Sequence, residues 1–300
     1  MTRPLTDADL WDADRCPVCD ASTPRPVIMT ANDTPRVDWL ACPVCRAASL
    51  SRMPCDDYLD TLYEGYYDRD RRSPDVDDAI WRKLAHRISR EIGWGGTRPG
   101  PIRILDFGGG RGGVALAVAK QLAPRQPATV TIVDRSFQHD HQASAEQGVA
   151  VERVRSLAQV EGKFELVIAS AVLEHVPRLA PVLGDLLGKM SESGGAFYAR
   201  TPYALPLRTL YPGYDMLFPQ HVHDLGPSFW NRLMARHGIR ARTVVSRPSI
   251  VESFIWDRPL ATLAASLLKI PGRIERWIRR SPTDYLWRWV GGWELFVTRS

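Results

Sequence analysis

The chain has 300 residues, of which 44% are hydrophobic and 24% charged, with a net charge of +5. This composition is that of an ordinary globular protein with a substantial core, and it argues against wholesale disorder. The first 14 residues contain no apolar signal-peptide segment, and the longest apolar candidate, 260–268, is about half the length that crosses a bilayer. We therefore expect a cytoplasmic protein.

The positive charge is concentrated near the C-terminus. Residues 240–300 contain eleven Arg and Lys against five Asp and Glu, a surplus that accounts for the whole net charge. A general nucleic-acid-binding protein would carry cations over its cleft as well. The asymmetry predicts a local role for the tail and argues against nucleic acid as a partner.

Four of the five cysteines form two identical C-P-V-C turns, made by Cys16 and Cys19 and by Cys42 and Cys45. Each turn lets two thiolates converge on one ion, and two turns complete a tetrahedral shell for zinc. A redox motif or chance would not explain two copies at this spacing. Four protein ligands leave no open coordination position, so we predict a structural zinc ion with Cys55 outside the ligand set.

The elements that follow alternate between helices and strands. An aromatic, acidic stretch containing Tyr58, Tyr63, Tyr66 and Tyr67 precedes a polar linker and a helix over 80–92. Strands are predicted over 102–107, 129–133, 164–169 and 195–199, and helices over 114–122 and 179–190. Alternation of this kind is typical of a parallel sheet with helices on both faces.

The strongest chemical signal is the sequence D-F-G-G-G-R-G, which begins at Asp106. Gly108, Gly110 and Gly112 permit a sharp turn and close approach of a ligand. Asp134 ends the next strand, where a carboxylate can accept hydrogen bonds from ribose hydroxyls. NAD binding and a purely structural turn are the alternatives. Asp106 would face the phosphates of a dinucleotide but suits a nucleoside with a cationic sulfonium, which favours S-adenosylmethionine.

The order of these motifs resembles that of class I S-adenosylmethionine-dependent methyltransferases. The turn from Asp106 is similar to their motif I, and Asp134 to their ribose-binding acid. Residues 164–176 resemble their fourth strand and the following turn, and Gly194-Gly195-Ala196-Phe197 resembles the start of the fifth. The resemblance spans about 102–239. It implies an α/β fold with a doubly wound, mostly parallel, seven-stranded Rossmann-like sheet, and it adds Ser170 to the cofactor site.

The cysteine turns extend the resemblance to bacterial methyltransferases of sugars and other small molecules, which combine a four-cysteine ribbon, a Tyr-rich segment and this core. The resemblance implies four regions. They are a zinc ribbon (1–55), a Tyr-rich segment with linker and helix (56–98), the S-adenosylmethionine-binding core (99–250), and a basic, Trp-rich helical extension with a final strand (251–300). The glycine usual after each C-x-x-C is replaced by Asp20 and Arg46.

A hydroxyl acceptor needs a base that removes its proton. Glu174 and His175 follow the fourth strand, and they could instead brace the cofactor loop. His221 and His223 would face one side of an extended segment and could act as base, bind a metal ion or serve a structural role. We predict His221 as the better candidate, because His223 adjoins Asp224.

The tail contains five of the ten tryptophans. In a helix, Ile274, Trp277 and Ile278 would share a face opposite three arginines, Arg273, Arg276 and Arg280. Such a helix could lie on an anionic membrane, hold a glycolipid, or pack on the core or on the second subunit of a homodimer. A final strand over 291–297 is predicted at the antiparallel edge of the sheet.

Together these patterns predict an O-methyltransferase that uses S-adenosylmethionine, carries structural zinc and acts on a small glycosidic acceptor, such as a sugar, a glycolipid or a related intermediate. An RNA or protein methyltransferase and a non-catalytic scaffold are the alternatives. The predicted location is the cytoplasm, with peripheral contact at the inner membrane face as a further option.

Overall fold

The computed structural model describes residues 3–63, 74–92, 100–124, 126–137, 142–146, 148–205, 216–249 and 291–300, and the single positions 263, 267, 270, 274 and 278. Several residues of the sequence predictions lie outside this described set: Tyr66, Tyr67, Arg273, Arg276, Trp277 and Arg280. Across the part that is described, no helix has the length and apolar character needed to cross a membrane.

The described strands are β1 Leu10–Asp12, β2 Val27–Asp33, β3 Arg36–Ala41, β4 Ala48–Leu50, β5 Arg52–Pro54, β6 Ile102–Phe107, β7 Ala128–Val133, β8 Gln142–Glu146, β9 Val149–Val154, β10 Leu166–Ser170, β11 Ala196–Tyr203, β12 His223–Asp224, β13 Ala241–Pro248 and β14 Gly291–Arg299. The α-helices are α1 Asp56–Tyr63, α2 Pro74–Ile92, α3 Gly113–Leu122, α4 Leu179–Lys189 and α5 Pro227–Arg236.

A mixed sheet of eight strands, in the order β13-β14-β11-β10-β6-β7-β9-β8, forms the centre of the α/β fold. The five strands from β11 to β9 in this order pair in parallel, whereas β14 is antiparallel to both of its neighbours and β8 is antiparallel to β9. The predicted number of seven strands is therefore wrong by one. The additional strand, β8, reads Q-A-S-A-E and lacks the apolar alternation that predicts a strand.

The final strand is also placed differently from the prediction. It lies between β11 and β13, with Phe197 opposite Val297 on one side and Val244 opposite Val297 on the other. Its side chains from Gly292 to Val297 are buried, as expected of a strand covered on both faces. Position within a sheet depends on pairing with distant segments, which the local sequence of β14 does not reveal.

Helices cover both faces of the sheet. On one face α2 and α3 pack against the strands through Leu84, Ile88 and Val118. On the other face α4 and α5 contribute Leu183 and Trp230 to a second cluster. The central parallel strands are apolar on both sides because both faces are covered.

The N-terminal cysteine region joins that second cluster. All four cysteines of the C-P-V-C turns are buried in it together with Leu225, Phe229 and Trp230. The short strand β12 pairs with β4, with His223 opposite Ser49. The Ala180 N–H also donates to the Pro17 carbonyl over 2.9 Å. The cysteine region is thereby bound to the core through both apolar packing and backbone hydrogen bonds.

A buried ionic network fastens α2 to the sheet. The Arg247 guanidinium bonds to the Glu294 carboxylate and also to Glu91 Oε1 at 2.6 Å. The Arg87 Nε atom lies 2.8 Å from Glu294 Oε1, and the Tyr198 hydroxyl donates to Glu294 Oε2 over 3.2 Å. Since Arg247 and Glu294 are both fully buried, each depends on the other for charge compensation.

We expect Glu294→Gln to lower the free energy of unfolding by about 3 kcal/mol, because it leaves buried arginine charge uncompensated. Urea unfolding measures the change. Glu192→Gln is the matched control, since its pairing with Lys163 at 4.0 Å is exposed and should contribute less than about 1 kcal/mol. Equal effects of the two substitutions would contradict the structural role of the network.

Candidate active site

The glycine turn between β6 and α3 is held in the left-handed region of backbone space. The φ angles of Gly108, Gly110 and Gly112 are +65°, +53° and +78°. A Cβ atom at Gly108 would lie 2.1 Å from Val172 Cγ2, and one at Gly112 would lie 2.3 Å from Ile132 Cδ1. Conformation and space both require glycine at position 108, whereas at position 112 the positive φ is the main constraint, because Ile132 Cδ1 is the end of a flexible side chain.

Asp134 fixes this turn from the end of β7. Its Oδ2 atom accepts the Gly110 N–H at 2.8 Å, and its Oδ1 atom accepts the Ser136 N–H at 3.0 Å and the Ser136 hydroxyl at 2.6 Å. Carboxylate oxygens are the kind of acceptor that binds the hydroxyl groups of a ribose. Asp134 also lines the cavity beside the turn, where a ribose could reach it.

Asp106 lies beneath the turn and is not among the residues that line this cavity. It is 2% exposed, and a Cβ atom on Gly109 would lie 2.6 Å from its Cγ. Burial, followed by the charge of Asp134, raises the pKa of Asp106 to about 7. A cation bound nearby would lower it again, so the site is electrostatically suited to a cationic ligand.

Ser170 and Ser156 differ in their relation to the cavity. Ser170, at the end of β10, accepts a hydrogen bond from Arg200 Nε at 3.1 Å and is not among the lining residues. Ser156 lines the cavity, and its hydroxyl accepts the Ala158 N–H at 3.3 Å. The segment from Arg155 to Leu157 is thus positioned to contact a bound nucleoside.

The cavity has a volume of about 620 Å³. Its walls combine the glycine turn, the segment after β10, helix α1 and part of the N-terminal region, including Phe107, Gly108, Asp134, Val172, His175, Arg178, Tyr63, Asp56, Asp60 and Trp11. The volume is within the range of small-molecule sites and is compatible with a cofactor beside an acceptor.

Three of the predicted catalytic residues converge. Ligand atoms of Glu174, His175 and His221 lie within 4.8 Å of one another, and the two imidazole rings meet edge to face at 4.8 Å between centroids. Of the three, only His175 lines the cavity. Burial lowers the pKa of His175 to about 4 and that of His221 to about 3, so both rings are neutral near pH 7.

His223 lies apart from this group and uses both ring nitrogens. Its Nδ1 atom is 3.0 Å from the Ser49 hydroxyl, and its Nε2 atom donates to the Val176 carbonyl over 2.8 Å. The ring is 2% exposed. This geometry contradicts a general-base role for His223 and a metal-binding pair with His221. Asp224 does not orient the ring either, because its Oδ2 atom accepts the N–H groups of Ala204 and Leu205 at 2.7 Å.

Tyr63 is a site residue that the sequence analysis did not identify. Its hydroxyl lies 3.0 Å from His175 Nδ1 at the end of α1 and faces the same cavity. The aromatic stretch around it was visible in the sequence, but its contact with a residue 112 positions later was not. Trp11 is a second lining residue that the sequence analysis did not identify. The Arg178 guanidinium lies over its ring, with Cζ 4.5 Å from the ring centroid.

The four cysteines form a closed cluster outside the cavity. The Sγ atoms of Cys16 and Cys45 are 3.8 Å apart, and those of Cys19 and Cys42 are 3.7 Å apart. Tetrahedral zinc with bonds of about 2.3 Å would separate its sulfur ligands by about 3.8 Å. The residues therefore fit such an ion.

The two cysteine turns have matching backbones. In each, the fifth residue adopts a left-handed conformation, with φ of 58° at Asp20 and 68° at Arg46. The N–H of each residue donates to the carbonyl of the first cysteine of its turn, at 2.7 Å and 3.0 Å. Asp20 and Arg46 therefore keep the turn geometry that glycine would give, at the cost of local backbone strain at these two residues.

The fold and the glycine-turn site define a class I S-adenosylmethionine-dependent methyltransferase, and comparisons with known proteins agree. A family model described as a methyltransferase domain matches residues 67–244. The match covers more than half of the chain, and the protein belongs to this family. No curated protein sequence matches the chain.

Solved structures are similar to the chain at low identity. The plantazolicin methyltransferase BpumL, in complex with a monoazolic desmethylPZN analog and SAH, is 15% identical with a TM-score of 0.50 over 81% of this chain and 94% of BpumL. Coclaurine N-methyltransferase, bound to N-methylheliamine and SAH, is 16% identical with a TM-score of 0.43 over 77% and 74% of the two chains. An O-methyltransferase family protein from Burkholderia thailandensis is 14% identical with a TM-score of 0.43 over 80% and 64%.

We expect Gly108→Ala to weaken the binding of S-adenosylhomocysteine (SAH) by more than about tenfold, because the new methyl group would displace Val172 in the cavity wall. Titration calorimetry measures the affinity. Gly238→Ala is the control, since Gly238 has a similar φ of +62° with nothing within 4 Å of an added Cβ. Each variant should lose about 1–2 kcal/mol of stability from left-handed strain. Unchanged SAH affinity in Gly108→Ala would contradict the cofactor site.

Proposed function

We propose that the protein methylates a hydroxyl group of a sugar, glycolipid or related small molecule. The observation that carries this proposal is a neutral imidazole, His175, on the wall of the cavity that also contains the glycine turn. An alcohol needs a base as its oxygen attacks, whereas a neutral amine or a thiolate does not depend on one to the same degree. S-adenosylmethionine, when bound, supplies a methyl group on a cationic sulfur.

The hydrogen bonds of His175 indicate which of its two ring nitrogens can accept a proton as the base. Its Nδ1 atom lies 2.9 Å from the Gln220 carbonyl oxygen, which can only accept, so Nδ1 carries the proton. The Nε2 atom is then left with a lone pair, as a base requires. The Tyr63 hydroxyl beside Nδ1 helps to fix the orientation of the ring.

The proton of the acceptor hydroxyl passes to His175 Nε2 as the oxygen–methyl bond forms. The resulting imidazolium is compensated by Glu174, whose Oε1 atom lies 3.7 Å from Nε2 in a buried position. At this distance the interaction is electrostatic rather than a short hydrogen bond. Glu174 therefore acts by stabilising charge, and His221 acts by packing against the base.

A glycosidic acceptor is supported by the other side chains of the cavity. Asp56 and Asp60 line the cavity as carboxylates that pair with Arg135 at 3.3 Å and 2.9 Å, and carboxylates accept hydrogen bonds from sugar hydroxyls. Tyr63 adds aromatic surface, which packs against the apolar faces of sugar rings. The arginines Arg135 and Arg178 add donors along the same wall. Such a lining suits a polar, polyhydroxylated molecule better than an extended apolar one.

The first test is methyl transfer from labelled S-adenosylmethionine to a panel of sugars, glycolipids, tRNA and peptides. Label should appear in a sugar or glycolipid as an ether that withstands mild alkali. Label in tRNA or peptide alone would overturn the proposed acceptor class, and cofactor binding without transfer to any member would favour a scaffold.

We expect His175→Ala to lower turnover by about 10²–10⁴ while SAH affinity stays within about twofold, because the base acts only on the acceptor. Since burial lowers the pKa of His175 to about 4, the base is deprotonated throughout the neutral range. Turnover of the wild type should therefore stay level from pH 8 to about pH 5.5 and decline only on approach to the lowered pKa.

His221→Ala should reduce turnover less than His175→Ala, and His237→Ala, a histidine after α5 outside the cavity lining, should leave it unchanged. If His221→Ala loses turnover while His175→Ala keeps near-normal turnover, His221 would be the base. A rise of the wild-type rate centred near pH 6.5 would contradict the buried neutral imidazole.

We also propose that the cysteine cluster binds one structural zinc ion through Cys16, Cys19, Cys42 and Cys45. The sulfur separations, the burial of all four thiols and the paired turns support this site. The ion would cross-link two segments that support β4, and β4 in turn pairs with β12 next to the acceptor-side residues.

Elemental analysis of freshly purified protein should give one zinc per chain. Cys42→Ser should lose the metal and lower both the melting temperature and turnover, because β12 would lose its support. Cys55→Ser is the control and should retain zinc, since this thiol lies outside the cluster. Absence of zinc from unchelated wild-type protein would rule out the assignment.

A further inference from the structure

Helix α5 contacts both of the cysteine turns. The Arg232 Nη1 atom donates to the Val44 carbonyl over 3.2 Å, and the Arg236 guanidinium donates to the Cys19 carbonyl. The two arginines are four residues apart, so they lie on the same face of α5, about one turn from each other. Each cysteine turn therefore receives one arginine from the same helix.

The apolar side of α5 packs against the same turns. Phe229, Trp230 and Leu233 are buried in one cluster with all four cysteines. In a helix with about 3.6 residues per turn, Arg232 and Arg236 lie beside Phe229 at the border of this apolar side. The two guanidinium groups are thus held next to the cysteine cluster by the packing of the helix as well as by their own hydrogen bonds.

The arginines and the cysteines belong to different parts of the structure. The cysteine turns flank the small sheet that contains β2, β3 and β4, whereas α5 lies between β12 and β13, and β13 is a strand of the central eight-stranded sheet. The surroundings of the cysteine cluster are therefore completed by the methyltransferase core.

The charge of a filled site gives these two arginines a purpose. Four thiolates bound to one Zn²⁺ ion leave an excess of two negative charges, and all four cysteines are buried, where such charge is costly. Beside the first turn, Arg15 and Asp20 already neutralise each other at 2.7 Å. Within the described residues, Arg232 and Arg236 form no ion pair with a carboxylate, so their charges are available to offset the excess.

We propose that Arg232 and Arg236 are positioning residues of the zinc site, which fix one cysteine turn each against α5 and together offset the charge of the zinc–thiolate cluster. The inference rests on the structural zinc ion proposed above and adds that retention of the ion depends on the methyltransferase core. Groups that surround the ligands of a metal typically change its affinity by about 10–100-fold. The dependence is reciprocal, because an ion that binds better when α5 is docked also stabilises the docked helix.

The test is the rate at which the full-length, zinc-loaded protein releases zinc to an excess of a chromophoric chelator. Arg232→Gln and Arg236→Gln should each speed release by about threefold or more, and the double variant by about 10–100-fold. Arg236→Lys keeps the charge but loses the planar fork, so its rate should lie between those of the wild type and Arg236→Gln. Both arginines are exposed residues, and the variants are expected to fold.

Arg240→Gln is the matched control. Arg240 is exposed beyond the end of α5, and its described hydrogen bonds use the backbone carbonyl, which accepts from the N–H and hydroxyl groups of Ser300. This substitution removes the same charge away from the cysteine turns and should leave the release rate unchanged. As a second readout, the double substitution should lower the melting temperature of the zinc-loaded protein more than that of the metal-free protein.

Two results would overturn the inference and leave the zinc site in place. One is an equal release rate in the wild type, the double variant and Arg240→Gln. The other is an equal loss of melting temperature with and without zinc, which would assign the arginines to the packing of α5 alone. Wild-type protein purified without zinc would instead remove the zinc site itself, and this inference with it. SAH affinity should be the same in every variant, since Arg232 and Arg236 lie outside the cavity lining.

Discussion

The close approach of the glycine turn to Val172 is the constraint on which the active site depends. Gly108 can lie against this side chain only because it has no Cβ atom and adopts a positive φ. Val172 directly precedes the short helical turn that carries Glu174 and His175. The cofactor turn therefore packs directly against the first residue of the segment that carries the proposed base.

That contact continues into the rest of the molecule. The Val222 N–H donates to the Glu174 carbonyl over 2.8 Å, which ties the segment after β11 to the segment after β10. From there β12 pairs with β4, so the cysteine region supports the acceptor side of the cavity. The N-terminal region thus helps to hold the segments after β10 and β11 in place, although its cysteine cluster lies outside the cavity.

The sequence predicted best what depends on short, contiguous motifs. The methyltransferase class followed from the order of the glycine turn, Asp134 and the motifs over 164–176 and 194–197, and the twin C-P-V-C turns meet in one cluster as their spacing predicted. It predicted poorly what depends on distant contacts. β8 lacks an apolar pattern, the choice between His175 and His221 depends on which ring reaches the cavity, and Tyr63 meets His175 only after α1 packs beside it.

The central claim, that one cavity holds the cofactor against Asp134 and the acceptor against His175, is tested most directly by a crystal structure of the protein with SAH. The ribose hydroxyls should lie within hydrogen-bond distance of Asp134, with the sulfur atom toward the side of the cavity that His175 lines. SAH bound elsewhere, or bound with its ribose away from Asp134, would contradict the assignment of this cavity as the methyl-transfer site.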